Sequence, residues 1–303
     1  MKQSPPQLQP TVGDWVQGSP QPGDWIYIKG VEARKNLLTR QASSGDGLQK
    51  LGANIDFLFV ATAVNQNFNL SRLDRYVAMA LNCKIQPVIL LTKVDLMEDP
   101  AELLEQAAKR FPTIDIHGVS ATENRNLEAL QRYLQSETTV ALVGPSGVGK
   151  STLVNRLLGR EVLDTAAVRE ADGKGRHTTT HRSLHRLSSG AWLMDTPGLR
   201  SLGLWDAEEG ISSLFQDIEE ISRSCKFRDC AHRTEPGCEI SRALESGDLS
   251  KERWHNFLKL KREDAIQRRK FDKRAASEVR KKSRPIRKHA RDRLKLERNG
   301  PMD

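Results

Sequence analysis

Residues 139–152 read TVALVGPSGVGKST, and this stretch decides the fold. Its apolar start has the length and composition of a buried strand. GPSGVGKS at 144–151 then fits the phosphate-loop pattern in full and opens a helical stretch that runs to about residue 158. Strand, glycine loop and helix, in that order, are the context the pattern requires. The backbone of Gly144, Pro145, Ser146, Gly147, Val148 and Gly149 can wrap a polyphosphate. Lys150 reaches the β- and γ-phosphates, the Ser151 hydroxyl ligates magnesium, and Thr152 completes the contact set.

Two motifs lie downstream. DTPG at 195–198 ends an apolar run, which places Asp195 to hold magnesium through water and Gly198 to offer its N–H to the γ-phosphate. GRHTTT at 175–180 falls between it and the phosphate loop, where a switch loop supplies a threonine to magnesium. Thr178, Thr179 and Thr180 are all candidates, and Thr179 is taken as the ligand. Many GTPases place a water-orienting glutamine just after DxxG. This chain has Leu199, so hydrolysis is expected to be slow, and His177 is the candidate for the missing catalytic group alongside Lys150 and Thr179.

The base-reading motifs lie upstream. TKVD at 92–95 ends a strand-like run, PVILLT. The Asp95 carboxylate can accept hydrogen bonds from guanine N1–H and N2–H₂, donors that adenine lacks there. Lys93 lays its stem along the base, and Val94 completes the turn. Asparagine usually stands where this chain has Thr92, so an amide that could tie the base-reading and phosphate loops is missing. Ser120 and Ala121 follow the next strand, and Ala121 offers its N–H to guanine O6.

The motif order is therefore base reader, base-contact dipeptide, phosphate loop, switch threonine and DxxG, a cyclic rearrangement of an ordinary GTPase. From about residue 12 to about 265 the chain closely resembles the circularly permuted, ribosome-small-subunit-dependent GTPases, the RsgA/YjeQ family. The resemblance implies an N-terminal OB-fold, a permuted GTPase domain and a C-terminal zinc domain. It also implies GTP hydrolysis stimulated by the small (30S) ribosomal subunit, a role in late maturation of that subunit, and release of assembly factors. Because the chain leaves the GTPase core soon after DxxG, a nucleotide-dependent shift at Gly198 could reposition the module that follows.

The remaining segments fit this frame. Residues 12–16 (VGDWV) and 22–26 (PGDWI) each put a Gly-Asp turn before an aromatic strand start. An OB-fold has five strands, so residues 1–50 are expected to form a short, partial OB-like β module. Residues 51–209 alternate strands and helices, which predicts an α/β domain with a mainly parallel sheet. Within it, residues 71–83 form a helix capped by Ser71, residues 99–111 one capped by Asp99, and 126–134 another; 183–187 and 191–195 pair as a hairpin. Residues 210–303 form a metal-binding, helical C-terminal domain with a basic tail.

Cys225, Cys230, His232 and Cys238 give the spacing C-x₄-C-x-H-x₅-C. Three thiolates and an imidazole form a closed tetrahedral zinc site, structural rather than catalytic, and the family's zinc ligands match these four positions. His117, His181, His185, His255 and His289 receive no metal role. The net charge of +9 is uneven: residues 251–303 hold 20 Lys and Arg against 8 Asp and Glu, a net of +12, leaving the rest at −3. That suits a polyanion such as rRNA. The N-terminus lacks a signal-peptide core and no apolar run reaches membrane-spanning length, so a cytoplasmic monomer without membrane contact is expected. Two other readings remain, a zinc-dependent RNA-binding protein that only senses GTP or GDP, and a P-loop ATPase, which Asp95 disfavours.

Overall fold

A computed structural model of the chain describes residues 9–23, 25–41, 48–65, 68–162, 183–195, 207–233 and 235–269. Before residue 54 the chain forms two antiparallel ribbons, β1 (Val16–Gln21) with β2 (Trp25–Val31) and β3 (Leu37–Gln41) with β4 (Leu48–Ala53). A glycine with positive φ stands at each expected turn, Gly13 at +90° and Gly23 at +81°. At Gly13 the turn presses on β4: a Cβ there would lie 2.2 Å from the Ala53 carbonyl oxygen. Asp14 closes the first turn by accepting the Thr11 N–H and a two-point bond from Arg34. The expected N-terminal β module is thus present, as two ribbons that do not join into one sheet among the described residues.

The central sheet follows. Its strands are β5 (Phe57–Ala63), β6 (Gln86–Thr92), β7 (Asp115–Val119), β8 (Thr139–Val143), β9 (Ser183–Arg186) and β10 (Trp192–Asp195). They lie in the order β7-β6-β5-β8-β10-β9, parallel except for the β10–β9 hairpin. Helices α1 (Leu70–Asn82), α2 (Ala101–Arg110) and α3 (Lys150–Leu158) cover the two faces. Both faces are buried, so the strands read as near-continuous apolar runs. Alternate residues still divide between them: Leu58 and Val60 of β5 pack with Val77, Ala80 and Phe111, whereas Phe59 packs with Leu130, Tyr133, Leu153 and Val154.

Three local expectations are corrected. Asn69, not Ser71, caps α1, its side-chain oxygen accepting the Arg72 N–H at 2.9 Å. Ser71 lies inside the first turn and donates to Asn256 instead. The helix expected over 126–134 is a short 3₁₀ segment, Glu128–Tyr133. Tyr133 is fixed there by edge contacts with the Phe57 and Phe59 rings, so tertiary packing decides the local geometry. At α2 the cap position is Pro100 rather than the expected Asp99, which accepts the Ala101 N–H from one residue further out.

The C-terminal part comprises α4 (Glu208–Leu214), α5 (Gln216–Arg223), α6 (Glu239–Ser246) and a helix over 251–269, α7. Its core of Ile211, Phe215, Ile218, Ile240, Phe257 and Leu260 includes Ala78 of α1. Gly210 meets α1 so closely that a Cβ would sit 1.9 Å from the Ala78 carbonyl oxygen. Arg75 of α1 pairs with Glu263 of α7 at two points, 2.9 and 2.7 Å.

Beneath this contact, Asp74 and Arg110 form an ion pair with side-chain exposures of 0% and 7%. Burial raises the Asp74 carboxyl above its ordinary range against the pull of Arg110. Ionised Asp74 therefore opposes folding above its folded pKa, and the penalty vanishes at pH low enough to protonate it in both states. Arg110→Met should cost about 3–5 kcal/mol at neutral pH, because it strands a buried carboxylate. Urea unfolding should show that loss shrinking in mild acid, and adding Asp74→Asn should restore most of it. A loss that does not change with pH would contradict this account.

Candidate nucleotide site and metal cluster

The strand ends that carry the sequence motifs converge on one edge of the sheet, at the carboxyl ends of β6, β7, β8 and β10. In an open α/β sheet that edge is where ligands bind. From β8 the backbone enters the glycine loop with Gly144 at φ +149°, Gly147 at +77° and Gly149 at +88°. Gly144 passes so near β5 that a Cβ would lie 2.4 Å from the Ala61 carbonyl oxygen. Val148 is fully buried against Ala61 and Ala63. The loop is thus seated on the end of β5, and α3 begins at its last glycine. Lys150 lies across the loop mouth, donating to the Gly144 and Pro145 carbonyls at 2.8 and 2.6 Å. Loop N–H groups, a helix N-terminus and an ammonium together make an anion cradle. Ser151 and Thr152 stand half-buried in the first turn of α3.

Thr92 proves to be a tie rather than a loss. Its buried hydroxyl lies 2.6 Å from the Val148 carbonyl oxygen and 3.1 Å from that of Thr62. One proton serves one strong bond, and the shorter contact joins the end of β6 to the phosphate loop. The threonine hydroxyl thus makes a tie of the kind that an asparagine amide could supply there. Lys93 adopts φ +60°, and its stem runs beside Gly149, where a Cβ would be 3.7 Å from Lys93 Cε. Asp95 Oδ1 is buried with no hydrogen-bond partner. A carboxylate oxygen in that state calls for a donor, and the N1–H and N2–H₂ pair of guanine is a matching donor set. Val94 is buried beneath it.

Ser120 holds its own loop. Its hydroxyl accepts the Glu123 N–H, and its backbone pairs both ways with Arg125. Ala121 follows, half-buried. Arg156 of α3, which sequence reasoning missed, donates to the Ala121 and Thr122 carbonyls at 2.9 and 3.1 Å. Spacing within one motif could not have signalled a contact between residues 35 apart.

On the other side of β8, Asp195 ends β10 with its carboxyl pushed above the usual range by burial, while His185 and Lys150 pull it back. The His185 ring, expected to have no metal role, meets Ser183 Oγ at 2.8 Å on β9. His177, Thr178, Thr179, Thr180, Gly198 and Leu199 lie outside the described residues.

The four expected metal ligands come together. The ligand atoms of Cys225, Cys230, His232 and Cys238 all lie within 4.8 Å of one another. His232 Nδ1 is 3.6 Å from both Cys225 Sγ and Cys238 Sγ. Tetrahedral zinc, with bonds of about 2.3 Å to sulfur and about 2.0 Å to nitrogen, requires an S···N separation of about 3.5 Å, close to these distances. The residues thus fit the ion in chemistry and spacing. The shell around them was not legible in the sequence. His232 sits at φ +57°, bracketed by the Ala231 and Arg233 N–H groups, which both donate to Glu235. Its Nε2 meets Ser222 Oγ at 3.0 Å, which directs Nδ1 toward the sulfurs. Cys238 caps α6, its sulfur accepting the Ser241 N–H.

A model of the RsgA GTPase family matches residues 31–205. The chain belongs to the RsgA GTPase family. It is 42% identical over 250 residues to a Vibrio vulnificus (strain CMCP6) protein named small ribosomal subunit biogenesis GTPase RsgA 2, covering 80% of this chain and 72% of that one. A Methanosarcina acetivorans protein named small ribosomal subunit biogenesis GTPase RsgA is 42% identical over 266 residues, covering 87% and 72%. Among solved structures, YjeQ from Thermotoga maritima matches with TM-score 0.62 at 26% identity, over 84% of each chain. YloQ, described as a circularly permuted GTPase, matches with TM-score 0.60 at 27% identity, over 84% of this chain and 80% of that one. The expected permuted GTPase fold is therefore present, and the chain is a GTP-hydrolysing enzyme.

Cys230→Ser should lower bound zinc below one per chain and reduce the thermal stability of the C-terminal helices, because metal binding in such a site is folding free energy. Metal analysis and circular dichroism report the two effects. A full complement of zinc in the variant would refute the ligand set.

Proposed function

We propose that this RsgA GTPase hydrolyses GTP when engaged by the small ribosomal subunit, in late maturation of that subunit and release of its assembly factors. The observation that carries the nucleotide half is the unpaired, buried Asp95 Oδ1 beside a fully formed phosphate loop. The names of its relatives, small ribosomal subunit biogenesis GTPases, support the other half. Organisation in three units, 1–50, 51–209 and 210–303, suits this role, as does a cytoplasmic monomer. Among the described residues no helix is long and apolar enough to cross a membrane.

In this reading Lys93, Asp95 and the Ala121 N–H hold guanine, with Thr92, Val94 and Ser120 setting their positions. Residues 144–152 hold the phosphates, and Lys150 balances their charge. Ser151, Asp195 and Thr179 would hold magnesium, which neutralises phosphate charge when bound. Gly198 would offer its N–H to the γ-phosphate. Leu199 cannot orient water, so His177 or a group brought by the subunit completes the site. Cys225, Cys230, His232 and Cys238 would hold one zinc ion that shapes the RNA-binding module.

Asp95→Asn should erode the preference for GTP over ATP in competition binding, because an amide cannot accept both base donors. Lys150→Ala should remove turnover and weaken GTP binding. Unchanged preference in the first, or near-normal turnover in the second, would refute the site.

Turnover should rise several-fold on adding small subunits. Residues 270–303 lie outside the described structure, but their charge makes a sequence-based case. A chain ending at residue 279 loses Lys281, Lys282, Arg284, Arg287 and Lys288 among others. It should bind subunits more weakly and with a shallower salt slope, through fewer released counterions. Unchanged affinity and slope would show the tail to be a solvated bystander.

A further inference from the structure

The loop after β7 is closed on itself almost everywhere. The Ser120 N–H donates to the Arg125 carbonyl at 3.1 Å, and the Ser120 carbonyl accepts the Arg125 N–H at 2.9 Å. Ser120 Oγ takes the Glu123 N–H, and Asn126 Nδ2 donates to the Gly118 carbonyl. Two successive carbonyls, those of Ala121 and Thr122, instead reach outside the loop to Arg156, through Nε at 2.9 Å and Nη2 at 3.1 Å. Arg156 lies on α3, six residues after Lys150.

The consequence is geometric. The Ala121 N–H belongs to the peptide whose carbonyl is that of Ser120, and Arg125 fixes that plane. The next plane carries the Ala121 carbonyl, and Arg156 fixes it. With both planes pinned, the direction of the Ala121 N–H is set. A guanidinium is suited to this task because its donors leave in a rigid fork, whereas an ammonium presents a single point. Neither bond goes to a carboxylate, so the charge is used on backbone dipoles. The anchor is also the helix that begins at the phosphate loop, so the base contact is held relative to the phosphates rather than to bulk solvent.

We propose that Arg156 is a positioning residue for guanine recognition: it aims the Ala121 N–H at guanine O6 and registers that contact against the phosphate-loop helix. The proposal rests on the reading of Ala121 as the O6 contact. It is independent of the tie between Thr92 and Val148, which acts from the β6 side and does not touch this loop.

The test compares GDP with 6-thio-GDP, in which a sulfur, a poorer acceptor, replaces O6 while N1–H and N2–H₂ remain. Equilibrium binding is measured on the full chain for wild type, Arg156→Ala and Arg156→Lys. Wild type should prefer GDP. Arg156→Ala should bind GDP about five- to tenfold more weakly, the scale of losing charge-assisted hydrogen bonds at an exposed site, and its preference over 6-thio-GDP should collapse toward one. Arg156→Lys should recover part of the preference, since lysine can reach one carbonyl. If Arg156→Ala keeps the wild-type preference, or loses affinity for both ligands equally, the positioning role is overturned and the residue only supports the fold. If wild type itself does not distinguish the two ligands, the Ala121 contact fails first, and the proposal with it.

Discussion

β8 pairs with β5 on one side, Phe57 opposite Val140, and with β10 on the other, Met194 opposite Ala141. Its start is fixed by Asp56, whose N–H donates to the Thr139 carbonyl and whose carboxylate accepts the Thr139 N–H, each at 2.8 Å. That central place is what the rest of the molecule depends on. It sets the phosphate loop mid-sheet, with the base-reading ends of β6 and β7 to one side and Asp195 to the other. Strand pairing is a relation in space, not in chain order. β5, β6 and β7 can therefore precede β8 in the sequence and still occupy the positions that an unpermuted chain would fill last. Ala61 shows how closely the neighbour is fitted, since its carbonyl excludes any side chain at Gly144.

The parts of this arrangement that were legible in the sequence are those written in short range. Strand runs that are apolar on both faces, the 144–151 loop, the 183–187 and 191–195 hairpin and the cysteine spacing each carry their signal within a few residues. What escaped is what two distant segments decide jointly. Ser71 looked like a helix cap because serine favours that position. Asn69 lies two residues earlier and takes it, freeing Ser71 to reach Asn256 across 185 residues. The 128–133 segment has helical composition, yet Tyr133 is held by two phenylalanine rings of β5 and the turn tightens. Thr92 looked like a loss because the comparison was with asparagine's amide. Its hydroxyl reaches Val148 because β6 ends close enough for a shorter side chain to span the gap.

The metal cluster shows the same division. Four ligands at the right spacing could be read directly. The means of aiming them could not, because Ser222, Glu235 and Ser241 come from three segments that meet only in the fold. Their arrangement has a reach beyond the metal. The His232 ring meets the edge of Trp254, and Trp254 stacks on Phe257 at 5.5 Å. Those aromatics belong to α7, and Phe257 in turn packs with Phe215. The geometry at the ligands is therefore continuous with the core that meets α1.

This continuity bears on how a nucleotide signal can reach the C-terminal module. The sequence order suggests that DxxG, at the end of β10, hands movement straight to the helices that follow. The structure adds a second anchor. Ala207 is 1% exposed, and its N–H donates to Asp264 of α7 at 2.9 Å. Gly210 is wedged against α1, and Arg253 joins Asp217, the Leu214 carbonyl and the Phe215 ring. Ala207 and Gly210 thus hold the start of the module against α7 and α1. A shift at DxxG moves the module as a body only if it also disrupts the contacts with α1, which include a paired Arg75 and a buried Ala78.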